Sequence, residues 1–316
     1  MFGFHTAVRH GKKDIPYAAQ VSLLAEKLRS ADAILIGAGA GLSTAAGLTY
    51  AGARFQKYFS DFAETYGIKD MYTGGFYPFP SPVVYWAWWS RLIYFNRYID
   101  APSPVYPDLL ALVKDKEYFV LTTNVDHQFQ RSGFDKQRLF YTQGDYGLLQ
   151  SVQPTVQRSY DNQDLIERML AAQGFVKNAQ DVYEVPETGK LKMTIPVELI
   201  PRCPDDGRAM MVSVRSDDRF VEDAGWHAAK KRYEAFLERH QDDAILYFEL
   251  GVGLNTPVII KYPFWYYTAA NPHAFYACIN TEYTVCTEEI AERSLCLEQD
   301  IGKVLHDLQK GAAVQA

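Results

Sequence analysis

Val21, Leu24 and Leu28 fall at helical spacing within AAQVSLLAEKLRSA, residues 18–31, and the pattern then changes at AILIGAGAGLSTAAG to an unbroken apolar run that ends in glycines. That order predicts helix, strand, glycine loop and a second helix. Apolar runs of strand length also open YFVLTTNVDH at 118–127, AILYFELGVGLNTP at 244–257 and AFYACINTEY at 274–283, and each finishes in polar or glycine-containing residues. Strands with polar loops at their C-terminal ends, separated by helical stretches, predict an α/β fold, a doubly wound parallel sheet with ligands gathered at those ends.

Two stretches break the alternation. Residues 51–101 are rich in aromatic side chains, and 151–243 hold turns, the segment DVYEVPETGKLK and a charged helix, AAKKRYEAFLERH. Both read as insertions forming a smaller domain beside a Rossmann-like domain drawn from 1–50, 102–150 and 244–316. The most apolar run, FYPFPSPVVYWAWWSRLIYF at 76–95, is interrupted by Pro78, Pro80, Pro82 and Arg91, so it predicts a buried aromatic helix and no membrane span.

With 48% hydrophobic residues in 316, the chain can bury a sizeable core, and its net charge of -6 offers no general basic surface to a nucleic-acid backbone. Residues 1–20 lack the basic, apolar and small-residue succession of a signal peptide, so a cytoplasmic protein is expected. Cys203, Cys278, Cys286 and Cys296 form no CxxC pair, which predicts buried free thiols in place of a disulfide framework.

Gly37, Gly39 and Gly41 let backbone approach a phosphate closely, and the helix that follows presents N–H groups, so IGAGAGLSTAAG suits a pyrophosphate although its spacing departs from strict GxGxxG. GAGLSTAAGL at 39–48 resembles the sirtuin motif GAGxSxxxGI, and TTNVD at 122–126 resembles the sirtuin TQNxD. LGVGLNTP, INTE at 279–282 and LEQDIGKVLHDL at 297–308 are similar to the family's glycine-rich loop, its Asn-bearing strand end and its terminal helix. The resemblance implies NAD as co-substrate, with Gly39, Ala40, Gly41 and Ser43 at the phosphates, Gly47, Gly251 and Gly253 in the surrounding loops, and Asn255, Asn280 and Ile301 at the adenosine half. It also implies that Asn124 positions the ribose or a nucleophile and Asp126 the nicotinamide carboxamide.

The chain departs from the family at three places. TYAGARF at 49–55 replaces PDFR, leaving Arg54 and Phe55 as substitutes over the nicotinamide ribose. PRCPDDG at 201–207 keeps one cysteine where the family carries zinc-binding pairs, so no metal is expected. In TQGDY at 142–146, Gln143 stands where sirtuins carry a histidine base; a carboxamide donates and accepts hydrogen bonds but takes no proton near neutral pH. Losing a positioned base commonly costs ~10²- to 10⁴-fold, which suppresses deacylation but leaves nicotinamide departure and ADP-ribosyl transfer open.

This combination resembles the macrodomain-linked class M sirtuins, which are protein ADP-ribosyltransferases. That resemblance implies a lipoylated, glycine-cleavage H-like carrier protein as acceptor, a macrodomain protein as partner, and an arginine of the small domain at the site. Arg215 in VSVRSDDRFVED is preferred to Arg202 for that arginine. The competing readings are a protein-lysine deacylase and a catalytically silent NAD- or ADP-ribose-binding module, against which the retained Asn124 and Asp126 count.

Overall fold

The computed structural model describes residues 8–9, 15–153, 155–254 and 257–314. Helix α1, Tyr17–Ser30, begins directly after Pro16 and buries Leu24 and Leu28. The chain turns extended at Ala31 and enters β1, Ala33–Ala38, in which every residue is buried. Helix α2, Ala40–Ala45, follows after a single glycine. Five more strands complete the central sheet: β2, Tyr118–Thr122; β3, Leu139–Tyr141; β7, Ile245–Leu250; β8, Phe275–Asn280; and β9, Ser294–Glu298. The last of these forms an edge that the apolar pattern did not single out.

The strands lie in the order β9-β8-β7-β1-β2-β3, and every neighbouring pair is parallel. The order reverses between β1 and β7, so crossovers leave these two strands on opposite sides and a crevice opens at their C-terminal ends. Register sharpens this: Ala38 pairs with Leu250 on one side and Thr122 on the other, so three strands finish level and their loops meet. Within β1, Ile34, Ile36 and Ala38 face one core with α1, α5 (Val105–Val113) and α9 (Ile301–Val314). Ala33 and Leu35 face the other core with α7 (Ala224–Arg239) and α8 (Lys261–Ala270). The period of two in side-chain direction thus covers both faces of the sheet. Helix α7 packs on this sheet although it falls within the 151–243 stretch.

A third core lies beside the sheet. Helix α3, Ala53–Tyr66, buries Phe55, Phe59 and Phe62 along one stripe, and α4, Pro82–Ile93, starts with proline in its first turn and buries Trp88 and its neighbours, as the aromatic run predicted. They are joined by α6, Gln163–Gln173, and by an antiparallel sheet in the order β5-β4-β6, made of β4, Gly144–Ser151, β5, Ser159–Asp161, and β6, Met210–Val214. Each fully buried apolar side chain here contributes roughly 1.5–3 kcal/mol.

Arg91 sits at the centre of this core with no exposure. Its guanidinium grips both carboxylate oxygens of Asp61 at 2.7 and 2.9 Å, donates to Gln173 Oε1 at 2.8 Å and to the carbonyls of Tyr58 and Lys192, and lies over the rings of Phe62 and Phe175. One cation thereby ties α3, α4 and α6 together, and its charge is matched by partners on every side.

All four cysteines are buried free thiols. In the PRCPDDG turn Asp206 accepts from Ser151 Oγ and Arg208 N–H, while Gly207 N–H bonds Cys203 O, so hydrogen bonds close the turn. Among the described residues no group of three or more His, Cys, Asp or Glu is arranged to hold a metal, and no helix is long and apolar enough to cross a membrane.

Arg91→Ala is expected to lower unfolding stability by about 3–5 kcal/mol in denaturant titration, because it leaves Gln173 Oε1 without its donor in the core and opens a cavity among the rings, while the partly exposed Asp61 turns to water. Gln173→Ala, which leaves the Arg91–Asp61 pair in place, should cost only about 1–3 kcal/mol.

Candidate active site

Two loops at the end of the central strands touch backbone to backbone. Gly251 follows β7 with φ at 64°, and a Cβ there would lie 2.3 Å from Leu42 N and 2.5 Å from Gly41 Cα. Only glycine meets both demands. Gly39 N–H donates to Leu250 O and Gly41 N–H to Gly251 O, both near 3 Å. The glycines at 39 and 41 therefore serve loop-to-loop packing, and these two N–H groups are spent on it. Ala40, between them, is exposed at the edge of the cleft and lines it.

The TTNVD loop is pinned from the same side. Thr122 Oγ1 and Thr123 N–H both reach Ala38 O, and Asn124 Nδ2 donates to Gly39 O and Ser43 Oγ at 3.0 Å each. Ser43 Oγ donates to Asp126 Oδ2 at 2.5 Å and shares a hydrogen bond with the buried Tyr106 hydroxyl at 2.9 Å. Asp126 Oδ1 accepts from Gln128 N–H. Burial pushes the Asp126 carboxyl up, and the Ser43 and Gln128 donors counter only part of that. The two most specific motifs thus close into one network of Ser43, Asn124, Asp126 and Tyr106, in which Tyr106 carried no signal in the sequence.

A cleft of about 640 Å³ runs from these loops to the aromatic core. Gly39, Ala40, Asn124 and Gly253 line one wall, and Met71, Tyr77, Tyr85, Trp89, Leu92 and Met211 the other. Tyr72 and Phe76 also line it and stand 59% and 64% exposed, an aromatic pair on its rim. Gln143 and Arg215 both line the cleft, and Gln143 O accepts from Arg215 N–H at 2.9 Å.

TQGDY occupies the passage from one sheet to the other. Strand β3 ends at Tyr141 and β4 begins at Gly144, so Thr142 and Gln143 are the joint. Gly144 has φ at 95°, and a Cβ there would lie 2.0 Å from Ser213 O, so the joint requires glycine directly after Gln143. Asp145 turns into the interior, while Tyr146 lines the cleft and bonds Tyr50 through their hydroxyls at 3.0 Å. Burial pushes the Tyr146 hydroxyl up to about 12.

The remaining residues named from the sequence lie at varied distances from the cleft. Arg215 pairs with Glu222 at 2.5 Å and lies over Phe220. Arg54 donates to the Thr49 and Phe95 carbonyls and to Asn96, and burial lowers its pKa. Phe55 does not line the cleft: its ring stacks on Phe59 and meets Trp88 in the aromatic core. Ile301 is likewise packed in the core below the sheet, and Gly47 turns with φ at 91° against Pro102. Asn280 bonds Val252 O. Asn255 lies outside the described residues.

No family model matches the chain. It is 40% identical over 288 residues, 90% of this chain and 86% of the other, to a protein ADP-ribosyltransferase of Staphylococcus aureus. Over 251 residues it is 29% identical to a probable bifunctional ADP-ribose hydrolase/ADP-ribosyltransferase of Fusarium oxysporum, covering 77% of this chain and 39% of that one. Among solved structures, a Sir2 homologue in complex with NAD shares the fold with a TM-score of 0.56 at 14% identity, over 98% of each chain. On that identity and coverage the chain belongs to the protein ADP-ribosyltransferase family, and it is built on the sirtuin fold.

Proposed function

We propose that the chain transfers ADP-ribose from NAD to a lipoylated, glycine-cleavage H-like carrier protein in the cytoplasm and releases nicotinamide. The observation that carries the acceptor assignment is the apolar wall of the cleft. A lipoyl-lysine arm is long, largely apolar and ends in a sulfur ring, which suits contacts with Met71, Tyr77, Trp89 and Met211. In this reading residues 51–101, together with the part of 151–243 that precedes α7, act as a smaller domain that supplies the acceptor side.

NAD brings the ADP-ribosyl group and its leaving group. Ala40 and Ser43, with Gly39, Gly41, Gly47, Gly251 and Gly253 around them, hold the diphosphate, and Asn280, Asn255 and Ile301 serve the adenosine half. Asn124 orients the ribose, and Asp126, which keeps lone pairs beyond those given to Ser43 and Gln128, receives the carboxamide N–H. Arg54 shapes the loop above the ribose with Phe55 anchoring it from the core. Gln143 orients the ribose or the acceptor by hydrogen bonding, and Arg215 guides the acceptor at the mouth. A macrodomain protein is the second partner in this reading, in keeping with the ADP-ribose hydrolase activity named for the fungal relative.

Intact-mass spectrometry of lipoylated and unlipoylated carrier incubated with enzyme and NAD tests the assignment. The lipoylated form should gain ADP-ribose, and acetyl-lysine peptides should yield negligible O-acetyl-ADP-ribose, since the base worth ~10²- to 10⁴-fold is missing at Gln143. Robust deacetylation with no ADP-ribosylated protein overturns the reading.

Asn124→Ala should reduce nicotinamide release by about 100-fold or more while NAD affinity by calorimetry stays within about threefold, because only positioning at the ribose is lost. Phe76→Ala on the exposed rim should raise KM for the lipoylated carrier and leave KM for NAD unchanged.

A further inference from the structure

His127 follows Asp126 directly, and the resemblance to known motifs assigns it nothing. Its backbone is left-handed, with φ at 63° and ψ at 12°. That turn lets the chain reverse after Asp126, so that Gln128 N–H can cap the Asp126 carboxylate and a short helix, Gln128–Arg131, can start. For a residue with a Cβ the conformation is costly and needs a compensating contact.

The contact is present. His127 Nδ1 lies 2.5 Å from Asp145 Oδ2, while Asp145 Oδ1 accepts from Arg97 Nε at 2.8 Å and Gly147 N–H at 2.7 Å. Asp145 is 3% exposed, so the carboxylate is enclosed by three donors. Burial would raise its pKa, but His127 and Arg97 hold it below the usual carboxylate range. An ionised Asp145 requires the imidazole proton on Nδ1, which the neutral ring can supply as well as the charged one. A second bond, Tyr146 N–H to Val125 O at 2.9 Å, runs beside the first.

These contacts join two segments that converge on the cleft. One carries Asn124 and Asp126, and the other carries Gln143 two residues before Asp145. We propose that His127 is a positioning residue for the transfer reaction: held by the Asp145 carboxylate, which Arg97 fixes from its other oxygen, the imidazole keeps the left-handed turn that aims Asn124 and Asp126, and locks that loop to the strand start that follows Gln143. His127 does not line the cleft, so it acts through these neighbours and not on substrate.

Asparagine provides the discriminating variant. Its Nδ2 sits where histidine has Nδ1, and it tolerates left-handed backbone better than other residues with a Cβ. Glycine adopts the turn freely but offers Asp145 nothing. Nicotinamide release from NAD is measured for wild type, His127→Asn and His127→Gly, a readout that does not depend on which acceptor is correct. His127→Gly should lose about 10- to 100-fold in kcat with KM for NAD within about twofold, as a misaimed but still bound ribose requires. His127→Asn should recover most of that kcat. A glycine variant with wild-type kcat, an asparagine variant no better than glycine, or a loss confined to KM for NAD overturns the proposal.

Discussion

Everything in this molecule is arranged around one close approach, the contact of Gly41 with Gly251 where strand order reverses. Two strands that feed crossovers of opposite direction leave a crevice between their ends, and the loops bordering it must come together without side chains. Two backbone hydrogen bonds seal that junction. Once it is closed, the level ends of β1, β2 and β7 place Asn124 within reach of Gly39 and Ser43, and the polar network follows from register alone.

The smaller core answers a different problem. It is built on helices and a three-stranded antiparallel sheet, and its rings pack around a buried cation as well as against aliphatic side chains. Arg91 satisfies carbonyls from segments far apart in the chain, which fixes how α3, α4 and α6 meet. The aromatic side chains left over at its surface then become one wall of the cleft. Polar chemistry on one side and apolar shape on the other thus come from two cores with separate packing logic.

Much of this was legible in the sequence where the signal is local. Apolar runs ending in glycine or polar loops located β1, β2, β7 and β8, and the paired motifs located Ser43, Asn124 and Asp126. Signals that depend on distant partners were not legible. Nothing local reveals that Leu250 and Gly251 take the N–H groups of Gly39 and Gly41. The packing of Phe55 against Phe59 and Trp88, and of Ile301 in the core below the sheet, was not legible either, because a motif position says nothing about which way a side chain packs. Nothing local shows what holds His127, because its partner Asp145 lies eighteen residues on, across a change of sheet. Strand β9 was missed since SLCLE is short and follows no turn signal of its own.

The joint at Thr142–Gln143 has a mechanical meaning. The chain leaves the parallel sheet and enters the antiparallel one within two residues, and the return strand β6 bonds back to the same point through Arg215 N–H and Gln143 O. Such a link is a short strap: Thr142 N–H bonds Thr122 O of the parallel sheet on one side, and Gln143 O takes Arg215 N–H on the other. Gln143 has no slack of its own, so its place at the cleft is set by both sheets together.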